Sequence, residues 1–198
     1  DQGHKVAQYM MGQCYYNGQG VSEDEAEAVK YYQLAAEQGD AEAQYNLGNM
    51  YYAGQGMGVS YSEAVKYYKL AADQEHAGAQ YNLGQCYYNG RGVKVDYADA
   101  VNYYKLAAEQ GQAGAQYELG RCYQKGIGVR ADIVEAVKYY QLAVDQGHTD
   151  AQNIMGVCYY YGRGVRINYT EAAKYYKLAA DQGQKDAQYN LGLCYEQG

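Results

Sequence analysis

Five cysteines, three histidines and 29 tyrosines are the side chains of this 198-residue chain that most invite chemistry. Cys14, Cys86, Cys122, Cys158 and Cys194 stand 36 or 72 residues apart, and Met50 holds the place where a sixth would fall. A disulfide needs Cα atoms within about 7 Å, and a structural zinc gathers its ligands at about 2 Å. One thiol per 36 residues, interchangeable with methionine, reads instead as a small apolar core residue. All five are therefore expected reduced and mostly buried along one face. An odd number also fits poorly with a secreted disulfide framework.

His4, His76 and His148 recur every 72 residues, with Asp40, Gln112 and Gln184 in the same place between and after them. That exchange reads as a polar turn residue ahead of a helix, not as a metal ligand. Nucleophiles are scarce: Ser22, Ser60, Ser62, Thr149 and Thr170 are the hydroxyls outside tyrosine. None has an independent His and Asp nearby in sequence. The Gly-x-Gly loops lack the preceding strand and the Lys-Ser/Thr that a phosphate loop needs. Asn168-Tyr169-Thr170 matches a glycosylation acceptor, although Asn168 is already explained as a helix cap. The expectation is no catalytic residue, no cofactor and no metal. A net charge of −7 with scattered signs disfavours nucleic acid. No apolar run reaches the roughly 18 residues of a membrane-spanning helix.

The spacing of these residues comes from an internal repeat. Ala-Gln recurs at Ala7, Ala43, Ala79, Ala115, Ala151 and Ala187, always 36 residues apart. Each unit divides into two helices. Helix A of the second unit spans roughly Ala41–Ala53, with Ala43, Leu47, Met50 and Tyr51 on one stripe. Helix B spans roughly Tyr61–Gln74, with Ala64, Tyr68, Ala71 and Ala72 on its stripe. Asp24, Ser60, Asp96, Asp132 and Asn168 are N-caps of helix B, followed three residues later by Glu27, Glu63, Asp99, Glu135 and Glu171. That spacing predicts a capping box in every unit. Gly39, Gly111, Gly147 and Gly183 are expected to close helix B in the left-handed region, with Glu75 as the exception. Gly12, Gly48, Gly84, Gly120, Gly156 and Gly192 lie inside helix A, each costing about 1 kcal/mol relative to Ala. Close approach of a neighbouring helix is the expected reason.

The pattern Ala-Gln-Tyr-Asn-Leu-Gly-x-x-Tyr-Tyr-x-Gly-x-Gly, then Glu-Ala-x-x-Tyr-Tyr-x-Leu-Ala-Ala, resembles the Sel1-like repeat (SLR) family, relatives of tetratricopeptide repeats. The resemblance covers the whole chain. It implies an all-α, right-handed α/α superhelical solenoid of 36-residue helix–turn–helix repeats, about 5.5 repeats and 11 helices. It also implies a single array over residues 1–198 that acts as an adaptor without catalysis. Two departures weaken the inference about partners. Ser22, Lys94, Arg130 and Arg166 stand where the family often has Pro, and Tyr31, Tyr67 and Tyr103 where it often has Trp or Phe.

By the same resemblance, a second face of helix A lines a concave surface. It carries Tyr9 and Tyr16; Tyr45, Asn49 and Tyr52; Tyr81, Gln85 and Tyr88; Tyr117 and Arg121; and Tyr160. Tyrosine offers broad contact with few rotors and a polar tip, which suits an extended peptide or protein partner. The competing reading is a solvent-tolerant tyrosine copied along with the repeat. The unit with Arg121 and Lys125 is the natural place for specificity. The ends cut through a repeat, with Asp1-Gln2-Gly3 as the tail of a helix B and no polar cap near Gly198. The alternative function is therefore a structural subunit whose copies join head to tail in a filament, or a piece of a longer array. On either, the stripe Leu191, Cys194 and Tyr195 faces an absent helix B, and Ala187–Gly198 meets the region of Val6, Met10 and Met11 of another copy, or more of the same chain.

Overall fold

The computed structural model describes residues 4–196, so the helix-B tail expected at Asp1-Gln2-Gly3 and the last two residues lie outside it, as does the side chain of Tyr195. Among the described residues there are eleven α-helices and no strand. The helix A elements are α1 (Lys5–Asn17), α3 (Ala41–Ala53), α5 (Ala77–Asn89), α7 (Ala113–Lys125), α9 (Thr149–Tyr161) and α11 (Lys185–Glu196). The helix B elements are α2 (Glu25–Glu37), α4 (Tyr61–Ala72), α6 (Tyr97–Glu109), α8 (Ile133–Asp145) and α10 (Tyr169–Asp181). The boundaries expected for α3 hold, and α4 ends two residues early.

The helices fall into two compact units, residues 1–106 and 107–198, divided within α6. In the first, α1 packs on α2, α2 on α3, α3 on α4 and α4 on α5. In the second, α7, α8, α9, α10 and α11 pack each on the next. The expected stripes are the core. Ala43, Leu47 and Met50 of α3 are buried, as are Ala64, Tyr68, Ala71 and Ala72 of α4. Tyr51 is only half-buried, and its ring stacks flat on that of Tyr67 at 5.6 Å. The pair recurs as Tyr15 on Tyr31, Tyr87 on Tyr103, Tyr123 on Tyr139 and Tyr159 on Tyr175.

The caps form as expected in one half and differ in the other. Asp24, Ser60, Asp96, Asp132 and Asn168 each accept from the backbone N–H three residues on. The returning half of the capping box is absent. The N–H of each cap residue instead donates to a helix A carbonyl, that of Tyr15, Tyr51, Tyr87, Tyr123 or Tyr159. The acidic residue is thereby released to pair with a lysine three residues on: Glu27 with Lys30, Glu63 with Lys66, Glu135 with Lys138 and Glu171 with Lys174. These pairs are exposed and contribute little. The cap N–H bond ties helix B to helix A, so it fixes how the two cross.

Gly39, Gly111, Gly147 and Gly183 do have positive φ, and Glu75 occupies the same left-handed conformation at φ 62°. The glycines inside helix A are explained by a side chain more than by a helix backbone. A Cβ on Gly12, Gly48, Gly84, Gly120 or Gly156 would lie 2.5–2.7 Å from the ring of Tyr32, Tyr68, Tyr104, Tyr140 or Tyr176. Gly192 would meet nothing within 4 Å.

The alanine-glutamine pair that marks the period has a structural role as well. Gln8, Gln44, Gln80, Gln116 and Gln152 are buried. The Gln44 amide donates to the Ala36 carbonyl at 3.1 Å, and its oxygen accepts from Gln74 at 2.7 Å. Gln116 likewise donates to Ala108 and accepts from Gln146. The buried amide thus joins one helix B to the next.

The described part of the stripe on α11, Leu191 and Cys194, does not stand open. Cys194 is buried, and Leu191 packs against the cluster of Ala172, Tyr176, Ala179 and Ala187, because α10 already covers that face. Among the described side chains of α11, the exposed large apolar one is Tyr189, at 70 %.

Candidate functional site

The cysteines are free and mostly buried, as expected of them. All five are free; Cys86, Cys122, Cys158 and Cys194 are buried, and Cys14 is half-buried. Burial pushes the Cys86, Cys122 and Cys158 thiols up to about 11, the opposite of what an attacking thiolate needs. Two of the three histidines are helix caps. Nδ1 of His76 accepts from the Ala79 N–H at 3.1 Å, and that of His148 from Ala151 at 3.3 Å. His4 stands at the start of α1 without a side-chain cap bond. Among the described residues, no three His, Cys, Asp or Glu side chains are placed to share a metal ion.

The tyrosines expected on the second face of helix A are half-buried throughout. In the first unit, the Tyr9 hydroxyl accepts from Gln13 at 2.6 Å, and burial raises its pKa. The Tyr16 hydroxyl accepts from Gln55 at 3.1 Å. Tyr45 lies flat on the His76 ring at 4.5 Å, over Gly78, whose Cβ would come 3.1 Å from the phenol carbon. Tyr52 meets the edge of Tyr61 at 5.1 Å, and Tyr88 meets Tyr97 at 5.3 Å. Tyr81 accepts from the Gln85 amide at 3.1 Å. Tyr9 and Tyr81 are held from their own helices, and Tyr16, Tyr45, Tyr52 and Tyr88 by the loops, caps or helices that follow.

Four of the expected residues come together. Asn49 and Tyr52 on α3, with Tyr81 and Gln85 on α5, line a cleft of about 390 Å³. Tyr68, Asn82, Asn89 and Arg91 complete its lining. Sequence reasoning missed these four, although a signal was available. Asn82, Gln85 and Asn89 share one helical face at i, i+3 and i+7. Arg91 sits between Gly90 and Gly92, in the loop position filled by Gln55 one repeat earlier. The Arg91 guanidinium hydrogen-bonds the Tyr52 hydroxyl and lies over the rings of Tyr52 and Tyr61.

In the second unit, Tyr117 stacks on His148 at 4.7 Å, and burial raises its phenol. Arg121 lies over the Tyr117 ring and donates to the Glu118 carboxylate at 2.9 Å. Its charge is thus met within its own helix. Tyr160 meets Tyr161 and Tyr169 edge-on. Lys125 is exposed in the last turn of α7.

The described helices include none long and apolar enough to cross a membrane. A family model described as the Sel1 repeat matches residues 5–40, 41–76, 77–112, 113–148, 149–184 and 185–198. Solved structures agree. A protective antigen of uropathogenic Escherichia coli with an SLR fold is 38% identical, with a TM-score of 0.96 over 100% of this chain and 42% of its own. A Sel1 repeat protein from Oxalobacter formigenes is 36% identical, with a TM-score of 0.90 over 96% of this chain and 76% of its own. Helicobacter pylori cysteine rich protein B is 25% identical, with a TM-score of 0.53 over 65% of this chain and 92% of its own. The chain thus spans about two fifths of the length of the Escherichia coli antigen. No curated protein sequence matches it.

Proposed function

The chain belongs to the Sel1 repeat family, and we propose that it is a non-catalytic scaffold that holds a peptide or protein on the tyrosine-bearing face of its helix A row. Sel1 repeats generally mediate protein interactions. The observation that carries the reading here is the cleft of about 390 Å³ between α3 and α5. Its lining supplies amides, phenols and one guanidinium. Such groups recognise a polar chain; near neutral pH they neither attack nor carry protons. The surrounding tyrosines are already ordered by their neighbours, so binding costs little side-chain entropy.

A peptide array probed with the whole chain and with the Y45A, Y81A and Y117A variants tests the reading. Tyr45, Tyr81 and Tyr117 also pack on core rings, so circular dichroism must show each variant folded. Loss of recovered binders supports the face. Unchanged binding of every recovered peptide removes it.

A subunit of a head-to-tail filament is the second reading. Exposed apolar side chains favour it: Val6 and Met10 on α1, at 44 % and 58 %, and Tyr189 on α11. Further repeats would cover the same side chains. Light scattering against concentration separates the readings. Growth beyond a monomer supports assembly, and a constant monomer mass at high concentration counts against it.

A further inference from the structure

We propose that the basic loop edge formed by residues 126–132 and 162–168 docks on the acidic turn edge, residues 37–42 and 73–78, of another copy of this chain. The contact uses neither the cleft between α3 and α5 nor the end surfaces on α1 and α11, so the inference goes beyond both readings above.

The basic edge joins two loops. They hold Arg130, Arg163 and Arg166 against one acid, Asp132. A Cβ on Gly164 would lie 2.7 Å from the Ile133 carbonyl oxygen, so the second loop rests on the start of α8, where the first loop ends. All three arginines are exposed. The lysines that follow are already matched, Lys138 with Glu135 and Lys174 with Glu171. The arginines therefore carry the unbalanced charge. Apolar surface lies beside them: Tyr161, Ile167 and Tyr169 are 59 %, 58 % and 53 % exposed, and Arg163 lies over the Tyr161 ring. Ala131 stands where Val59, Val95 and Ile167 stand in three other loops. A cleft of about 430 Å³ opens there, lined by Tyr123, Val129, Arg130, Ala131 and Asp132.

Charge names the occupant. Residues 37–42 and 73–78 hold Glu37, Asp40, Glu42, Asp73 and Glu75, with no lysine or arginine. The two turns are neighbours: Nε2 of His76 lies 3.3 Å from a Glu42 oxygen, and Gln74 donates to Gln44 at 2.7 Å. Leu34 and Leu70, at 45 % and 42 %, stand three residues before Glu37 and Asp73 on the same helix faces. An edge of arginine and tyrosine thus meets an edge of carboxylate and leucine, each spanning two adjacent turns. Guanidinium forks pair with carboxylates and set the register, while the apolar side chains supply burial. A membrane also offers negative charge, but the net −7 of the chain is repelled by the whole of such a surface. A second copy offers acid and leucine in one patch. The two edges differ, so the contact is heterologous and can repeat from copy to copy.

The test reads the mass of the whole chain by sedimentation velocity across concentrations, at about 20 mM and about 500 mM salt. Two variants each reverse one edge. R163E/R166E changes exposed loop residues, and E37K/D73K places lysine at the ends of α2 and α4, where it suits the helix dipole. Each should melt within a few degrees of the parent, with R163Q/R166Q as the milder form of the first. The parent is expected to associate at low salt and come apart at high salt. Each variant alone should associate at least tenfold more weakly, and an equimolar mixture of the two should regain association, since the reversed edges complement each other. A parent that stays monomeric at low salt, or a mixture no stronger than either variant alone, overturns the inference. Association that survives both reversals but is lost in M10S/Y189S belongs to the chain ends and also overturns it. Binding to phosphatidylcholine–phosphatidylserine vesicles that R163E/R166E loses, without self-association of the parent, assigns the edge to lipid and overturns it as well. None of these outcomes touches the peptide reading of the tyrosine face.

Discussion

The ring of Tyr68 fills the space that a side chain on Gly48 would need: a Cβ there would lie 2.7 Å from the ring carbons Cδ1 and Cε1. The same tyrosine donates its hydroxyl to Asn49 on the rim of the cleft. One helix–helix contact therefore sets both the packing of the second repeat and the orientation of an amide on its surface.

Gly48→Ala gains up to about 1 kcal/mol of helix propensity but forces a buried ring to move, at about 1–3 kcal/mol. Packing wins, and the variant should melt at a lower temperature than the parent. Gly192→Ala is the control. It has open space around the new methyl, so only the propensity gain remains and stability should rise slightly. Thermal denaturation of both variants checks the pair. Equal effects would remove the ring-contact explanation.

Glu75 is in the left-handed region at φ 62°, where Gly39, Gly111, Gly147 and Gly183 stand in other units. A residue with a Cβ pays roughly 1–2 kcal/mol there, offset in part by glycine's greater freedom when unfolded. Glu75→Gly is expected to stabilise by about 1 kcal/mol, read from the denaturant midpoint at unchanged slope. Gly111→Glu is expected to do the reverse.

Much of this was legible in the sequence, for a physical reason. A strict 36-residue period makes every cap, stripe and glycine appear several times, so each element is specified redundantly. The spacing of Asp24 and Glu27 did not reveal that the cap N–H would find a carbonyl on helix A, since that acceptor is 9 residues away in sequence, at Tyr15. The cleft was half legible. Asn49, Tyr52, Tyr81 and Gln85 follow from helical spacing. Arg91 does not, because its contact with Tyr52 crosses 39 residues and depends on how one repeat stacks on the last. The buried role of Gln44 was hidden for a similar reason: a glutamine reads as surface until its partners, Ala36 and Gln74, are in place.

Gln44→Leu tests that buried amide. Leucine fills similar space, but the Ala36 carbonyl and the Gln74 amide lose their partner. A buried polar group left unsatisfied costs about 1–3 kcal/mol. A loss in that range is expected in chemical denaturation, although the substitution increases apolar burial. A gain in stability would show that the amide is replaceable by packing alone.

The buried thiols and phenols set how stability depends on pH. Cys86, Cys122 and Cys158 are raised by burial from 9.0 to about 11, and Tyr68, Tyr140 and Tyr176 are raised from 10.0, also by burial first. Each group is neutral when protonated, and the folded state holds its proton more tightly than the unfolded chain does. The stabilisation is therefore fully present below about pH 9 and is lost as pH rises through the folded values. Urea midpoints measured at pH 8, 9, 10 and 11 should fall from pH 9 upward and more steeply above 10, where the phenols of the unfolded chain ionise. A triple Cys→Ala variant of Cys86, Cys122 and Cys158 should be less stable at pH 8 but lose the part of the slope between pH 9 and 10. Rapid thiol labelling of the native chain at pH 8 should reach Cys14, the one that is not buried, well before Cys86, Cys122 or Cys158. Equal labelling rates, or midpoints that do not change up to pH 11, would contradict buried, protonated thiols and phenols.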